Sequence, residues 1–160
     1  MVFKLPEVIP ESSTFHAGMA AQNRDDGPQG HPSVIMGKET QLDGKQIVFF
    51  LGLTSFTDHG SNGIPAHKSQ DARNRMILCA NHDASVKPHN GLLEVENGSE
   101  KFKKATYLNF YGQHDVLPIE FNCLKTWDTN NNRPIQFTAA SVQKIKKQHN
   151  NVRKGGFISG

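Results

Sequence analysis

Cysteine is scarce in this chain of 160 residues, which holds only Cys79 and Cys123. Two thiols cannot build the dense disulfide framework of a small secreted domain. Residues 1–10 carry Lys4, Glu7 and two prolines where a leader peptide needs an apolar core. Both features predict an intracellular, cytoplasmic chain with reduced thiols, in which the glycosylation-like Asn97-Gly98-Ser99 has no consequence. No apolar run approaches the roughly 18 residues of a membrane span. Trp127 is the single tryptophan, and Tyr107 and Tyr111 are the only tyrosines. An aromatic cage of a chromatin or peptide reader would therefore draw on phenylalanines that the core needs. A glycine-rich phosphate loop and the motifs of a Ser-His-Asp site are missing too, which argues against nucleotide triphosphatase and acyl-transfer chemistry.

What is present fits one domain with a modest core. The length suits one domain better than two, and 36% hydrophobic residues with 14 glycines favour a small core with long loops over a helical bundle. The net charge of +3 is unevenly placed. Lys101, Lys103 and Lys104 form one basic cluster; Lys144, Lys146, Lys147, Arg153 and Lys154 form another. Such clusters admit phosphate-bearing partners, and they equally describe a solvated surface.

Along the chain, residues 1–14 read as an extended or weakly ordered arm, 15–21 as a first strand and 22–30 as a loop by the turn chemistry of Asp25-Asp26-Gly27-Pro28. Two β-branched apolar runs follow, Pro32-Ser33-Val34-Ile35-Met36 and Gln46-Ile47-Val48-Phe49-Phe50-Leu51-Gly52-Leu53-Thr54-Ser55. They predict a hairpin turning at 40–43, with Met36 opposite Gln46 and His31 opposite Leu51 or Leu53. The second run is apolar on both alternating sets and belongs in mid-sheet. Residues 57–75 read as a long polar loop with no share in the core. Short apolar runs at 76–80, 91–96, 105–110 and 116–121, the last broken by Pro118, predict further strands and a small barrel or sandwich. Thr138 caps a terminal helix over 139–149, with Phe137 and Val142 as a hydrophobic staple. The expected organisation is an arm (1–14), one domain (15–150) and a basic, mobile tail (151–160).

Taken in order, these pieces resemble the PemK/MazF-like toxin family, particularly its fungal branch. The resemblance rests on Gly30-His31-Pro32-Ser33-Val34-Ile35, where the family has Arg-Pro and a β-branched run, and on Phe49-Phe50-Leu51-Gly52-Leu53-Thr54-Ser55-Phe56, where it has a strand ending in Thr-Ser. Lys104-Ala105-Thr106-Tyr107-Leu108-Asn109 is similar to a Lys-x-Ser-Tyr-Val element of the fungal branch. The resemblance covers about residues 15–124. It implies a mostly-β, SH3-like barrel with a C-terminal helix, a homodimer, an antitoxin-like protein partner, and metal-independent cleavage of single-stranded RNA. The chain departs from the family at one place: His31 stands where the nucleases carry arginine, while Thr54 and Ser55 are retained.

Metal-free RNA cleavage deprotonates a 2′-hydroxyl, stabilises charge on the phosphorane and protonates the leaving 5′-oxygen. Histidine exchanges protons near neutral pH and arginine does not, so His31 is the candidate general base or acid, an effect worth about 10² to 10⁴-fold. Thr54 and Ser55 would orient the phosphate or the attacking hydroxyl. Arg24, Arg73, Arg75 and Lys104 are the candidate RNA-binding cations, the arginines replacing the bidentate clamp that His31 cannot supply. In the competing structural reading, His31 bonds a neighbouring carbonyl, Thr54 and Ser55 cap a strand, and the arginines face solvent. Cys79-Ala80-Asn81-His82, with His89 and Cys123, has one zinc-like spacing but no second close pair; neither a metal nor another cofactor is expected. A non-catalytic module for RNA or a protein partner is the alternative function.

Overall fold

Gly44 adopts a φ of +83°, a left-handed conformation that suits glycine, and this fixes where the central hairpin turns. In a computed structural model of the chain, which describes residues 1–8, 30–56, 63–82, 85–110, 119–127 and 134–154, Gly44 N–H donates to the Gln41 carbonyl at 2.9 Å and Gln41 N–H to Lys45 at 2.8 Å. Asp43 Oδ1 accepts from Lys45 N–H at 3.0 Å. The hairpin of β2 (Pro32–Thr40) and β3 (Gln46–Ser55) thus turns later than expected, and Thr40, not Met36, pairs with Gln46. A bulge between Ile35 and Gly37 then shifts the register, leaving Val34 opposite Leu51 and Ser33 opposite Gly52.

β3 holds the middle of the sheet, as its two-sided apolarity predicts. On one edge it pairs with β2; on the other with β6 (Thr106–Asn109) near its C-terminal end and β7 (Ile119–Glu120) near its start. With β1 (Val2–Lys4), β4 (Met76–Cys79), β5 (Leu92–Leu93) and β8 (Lys125–Thr126), the strand order is β5-β4-β6-β3-β2-β1-β8, with β7 beside β3. The architecture is mostly β with one long C-terminal helix. Among the described strands the terminal pair, β5 and β8, do not join, so the sheet is open and the expected barrel closure is not seen there.

Alternation divides the core between two faces. Val2, Val34, Leu51, Leu53, Ile77 and Leu108 lie on one face, in a cluster with Phe137 and Ile145. On the other, Leu5, Val48, Phe50 and Ile119 form one cluster, and Phe56, Met76, Leu78, Val86, Ala105 and Tyr107 form another. Burying each large apolar side chain contributes about 1.5–3 kcal/mol.

Several expectations need correction. The arm begins as a strand: Val2 and Leu5 are fully buried, and β1 lies between β2 and β8, with Val2 N–H donating to Ile135 at 2.9 Å. The core therefore starts at Val2, outside the expected 15–150. The long polar loop also contributes, since Pro65 is buried and Ile64 packs against the Phe56 cluster. Within it, Ser69 caps the short helix α1 (Gln70–Asn74) by accepting from Ala72 N–H at 3.2 Å. The terminal helix α2 spans Ala139–Arg153, so the expected tail begins within it. Its cap is Thr138, whose Oγ1 accepts from Ser141 N–H at 3.2 Å. Phe137 is buried and Val142 packs in the same cluster. The strand expected at 15–21 lies outside the described residues.

Candidate functional site

The hairpin register creates a polar seam on the second face, between its two apolar clusters. Cross-strand partners share a face, so Phe3, Ser33 and Gly52 lie side by side across β1, β2 and β3. One step beyond the Leu53–Leu108 pair, Asn109 of β6 comes level with Gly52 from the opposite edge, and it pairs in turn with Met76. Gly52 leaves a notch there, because a Cβ on it would meet nothing within 4 Å. Ser33 Oγ and Asn109 Oδ1 flank this notch. Both atoms are shielded from solvent and neither has a hydrogen-bond partner among the described residues, an arrangement that costs about 1–3 kcal/mol per group.

The next step along the seam holds the expected catalytic residues. Thr54 pairs with Tyr107 and is half-buried, while the β2–β3 pairing ends at Ser33–Gly52, and His31 and Thr54 each lie two residues beyond the same end of it. The His31 imidazole is exposed, and its carbonyl accepts from Leu5 N–H at 3.1 Å. Glu7 lies alongside, with Oε1 2.5 Å from Lys4 Nζ. The hydrogen bond and charge of Lys4, and to a lesser degree the charge of His31, hold its exposed carboxyl below the ordinary value. Ser55 pairs with Thr106; alternation turns it to the opposite face, away from Thr54.

Tyr107 forms the wall beside Thr54. Burial pushes its phenol pKa up, opposed by the charge of Arg73. Arg73 Nη1 donates to the Ile64 and Pro65 carbonyls, each at 3.3 Å, so it anchors the 63–65 segment. Arg75 caps α1, and its carbonyl accepts from Phe110 N–H at 2.7 Å. Lys104 is exposed, its carbonyl accepting from Thr106 Oγ1 at 3.0 Å. Arg24 lies outside the described residues.

The zinc-like spacing does not converge. The Cys79 thiol is fully buried and its pKa pushed far up by desolvation, while His82 is exposed, with Nε2 3.9 Å from Glu100 Oε2. His89 Nε2 lies 2.7 Å from the Arg73 carbonyl and serves as its donor. The Cys123 side chain lies outside the described residues. Among the described residues no three His, Cys, Asp or Glu side chains gather to hold a metal ion, and no helix is long and apolar enough to cross a membrane.

Comparison with protein-family models, curated proteins and solved structures returned no match. The site therefore rests on its own geometry. That geometry leaves His31 and Thr54 beyond the same end of the Ser33–Gly52 pair and adds Ser33, Gly52, Asn109 and Tyr107, which the sequence alone did not mark as site residues. The available signal was Gly52 itself, a glycine inside an apolar strand, which interrupts the packed surface with a position that has no side chain.

Proposed function

We propose that this chain is a PemK/MazF-like, metal-independent endoribonuclease that binds single-stranded RNA on the polar seam and cuts it with His31 and Thr54. The observation that supports this reading is that His31 and Thr54 both follow the same end of the Ser33–Gly52 pair, which alternation assigns to one face of the sheet. In the proposed step His31 takes the proton of a 2′-hydroxyl, and the 2′-oxygen attacks phosphorus. The P–O5′ bond breaks, leaving a 2′,3′-cyclic phosphate and a 5′-hydroxyl protonated from solvent. Thr54 donates a hydrogen bond to a phosphate oxygen. The same reading makes the sheet part of an SH3-like barrel, for which the division of β3 between partners on both edges is the support. It also takes the active form as a homodimer, held in check by an antitoxin-like protein.

The commitment of Arg73 to two carbonyls favours a second reading, a binding module without turnover, because a guanidinium held in this way is a poorer phosphate clamp. The test is a labelled single-stranded RNA incubated in EDTA with the parent, His31→Ala and Thr54→Ala. Cleavage by the parent that both substitutions abolish establishes the nuclease. Salt-dependent binding without cleavage by folded protein establishes the module. Absence of both binding and cleavage overturns the RNA reading.

A further inference from the structure

Helix α2 and its cap residue carry the chain's positive charge. Residues 139–154 hold five of the 18 lysines and arginines and none of the 15 acidic residues; the remainder has 13 basic against 15 acidic, a net charge of −2. Lys146, Lys147 and Lys154 are exposed, and among the described residues none is in an ion pair. Lys144 is different: it is half-buried and its Nζ lies against Gly91. The exposed positions 143 and 150 add Gln143 and Asn150, side chains that hydrogen-bond phosphates and sugars.

The helix macrodipole accounts for cations in the last turn only. Lys146 and Lys147 lie about two turns before Arg153, beyond the reach of that effect. A membrane surface is a poor match for this face. Interfacial helices need a free apolar side, whereas here Val142, Ile145 and Val152 are packed into the core.

We infer that the outward face of α2 is a docking surface for the phosphate backbone of single-stranded RNA, separate from the seam. This rests on the reading of RNA as the partner and extends it. The helix packs on the Leu51–Leu53 face of the sheet and the seam lies on the other. An RNA touching both must pass round an edge, so the helix contributes to binding long strands and not to cutting short ones.

The experiment measures RNA affinity of the full chain against salt for the parent, K146Q/K147Q/K154Q, the charge-keeping K146R/K147R/K154R, and K38Q/K87Q/K125Q, which removes three exposed lysines elsewhere. Loss of three phosphate contacts lowers the slope of log K against log salt by about 2, at roughly 0.7 per contact on single strands. That fall is expected in the first variant alone, on a strand of about 16 nucleotides, with cutting of strands of about 4 unchanged. An unchanged slope, or an equal fall in K38Q/K87Q/K125Q, overturns the inference and leaves the nuclease reading standing. A parent that binds no RNA overturns both. Binding to phosphatidylserine vesicles that the first variant loses, with its RNA slope intact, assigns the face to membranes and overturns the inference.

Discussion

Ser33 on β2 and Gly52 on β3 stand directly opposite one another, a buried hydroxyl without a partner among the described residues beside a strand position without a side chain. The pairing sets a polar notch between two apolar clusters. It also gives direct tests of how the sheet is built.

Ser33→Ala removes a polar atom that forms no hydrogen bond, so the usual cost of deleting a buried hydroxyl does not apply. Stability is expected to hold or to rise by up to about 1–3 kcal/mol in urea unfolding. A clear loss would show that the hydroxyl has a partner.

Gly52→Ala places a methyl group in open space at a position whose φ is not left-handed. The alanine narrows the unfolded ensemble, and a gain of about 0.4–1 kcal/mol is expected. If the seam holds RNA, cleavage or affinity falls in the same variant. A more stable but less active protein is the combined signature.

The junction of α2 with the sheet is expected to behave as a coupled unit. Thr138 Oγ1 accepts from Ser141 N–H and donates to Ser141 Oγ at 3.1 Å, and Ser141 Oγ accepts from Glu94 N–H at 2.8 Å. Thr138→Ala costs about 1 kcal/mol as a lost cap. Ser141→Ala costs more, because it strands the Glu94 donor. Through their shared hydrogen bonds the double mutant falls short of the sum by about 0.5 kcal/mol or more; strict additivity in denaturant titrations would contradict this.

Alkaline pH is expected to destabilise the fold through Cys79 and Tyr107, both raised by burial. Each folded state holds its proton more tightly than the unfolded one. Their contribution is therefore complete below the unfolded pKa values and is lost as pH rises beyond them. The decline starts near the unfolded thiol value of about 8.5 and steepens toward the phenol value of about 10, at about 1.4 kcal/mol per pH unit for each proton. Unfolding free energies from pH 7 to 10.5 check this. Cys79→Ala removes the thiol part of the slope, and in the parent a thiol reagent reaches Cys79 only after unfolding.

Local patterns were enough to locate β2, β3, β4, β6 and α2 in the sequence: alternation marks the strands, and Thr138 with its apolar neighbours marks the helix start. These features depend on neighbours within a few residues. Tertiary structure alone decided that Val2 joins the sheet, since a three-residue strand has too little periodicity to stand out and is held by β2 and β8 from distant parts of the chain. It also decided the site. Composition does not say whether a hairpin turns on Asp43 and Gly44 or a little earlier, or where one extra residue bulges, yet each residue of slip turns every side chain to the other face. That register, with β6 joining β3 as a non-local neighbour, is what carries Ser33, Gly52 and Asn109 to one level and leaves His31 and Thr54 beyond the same end of the Ser33–Gly52 pair.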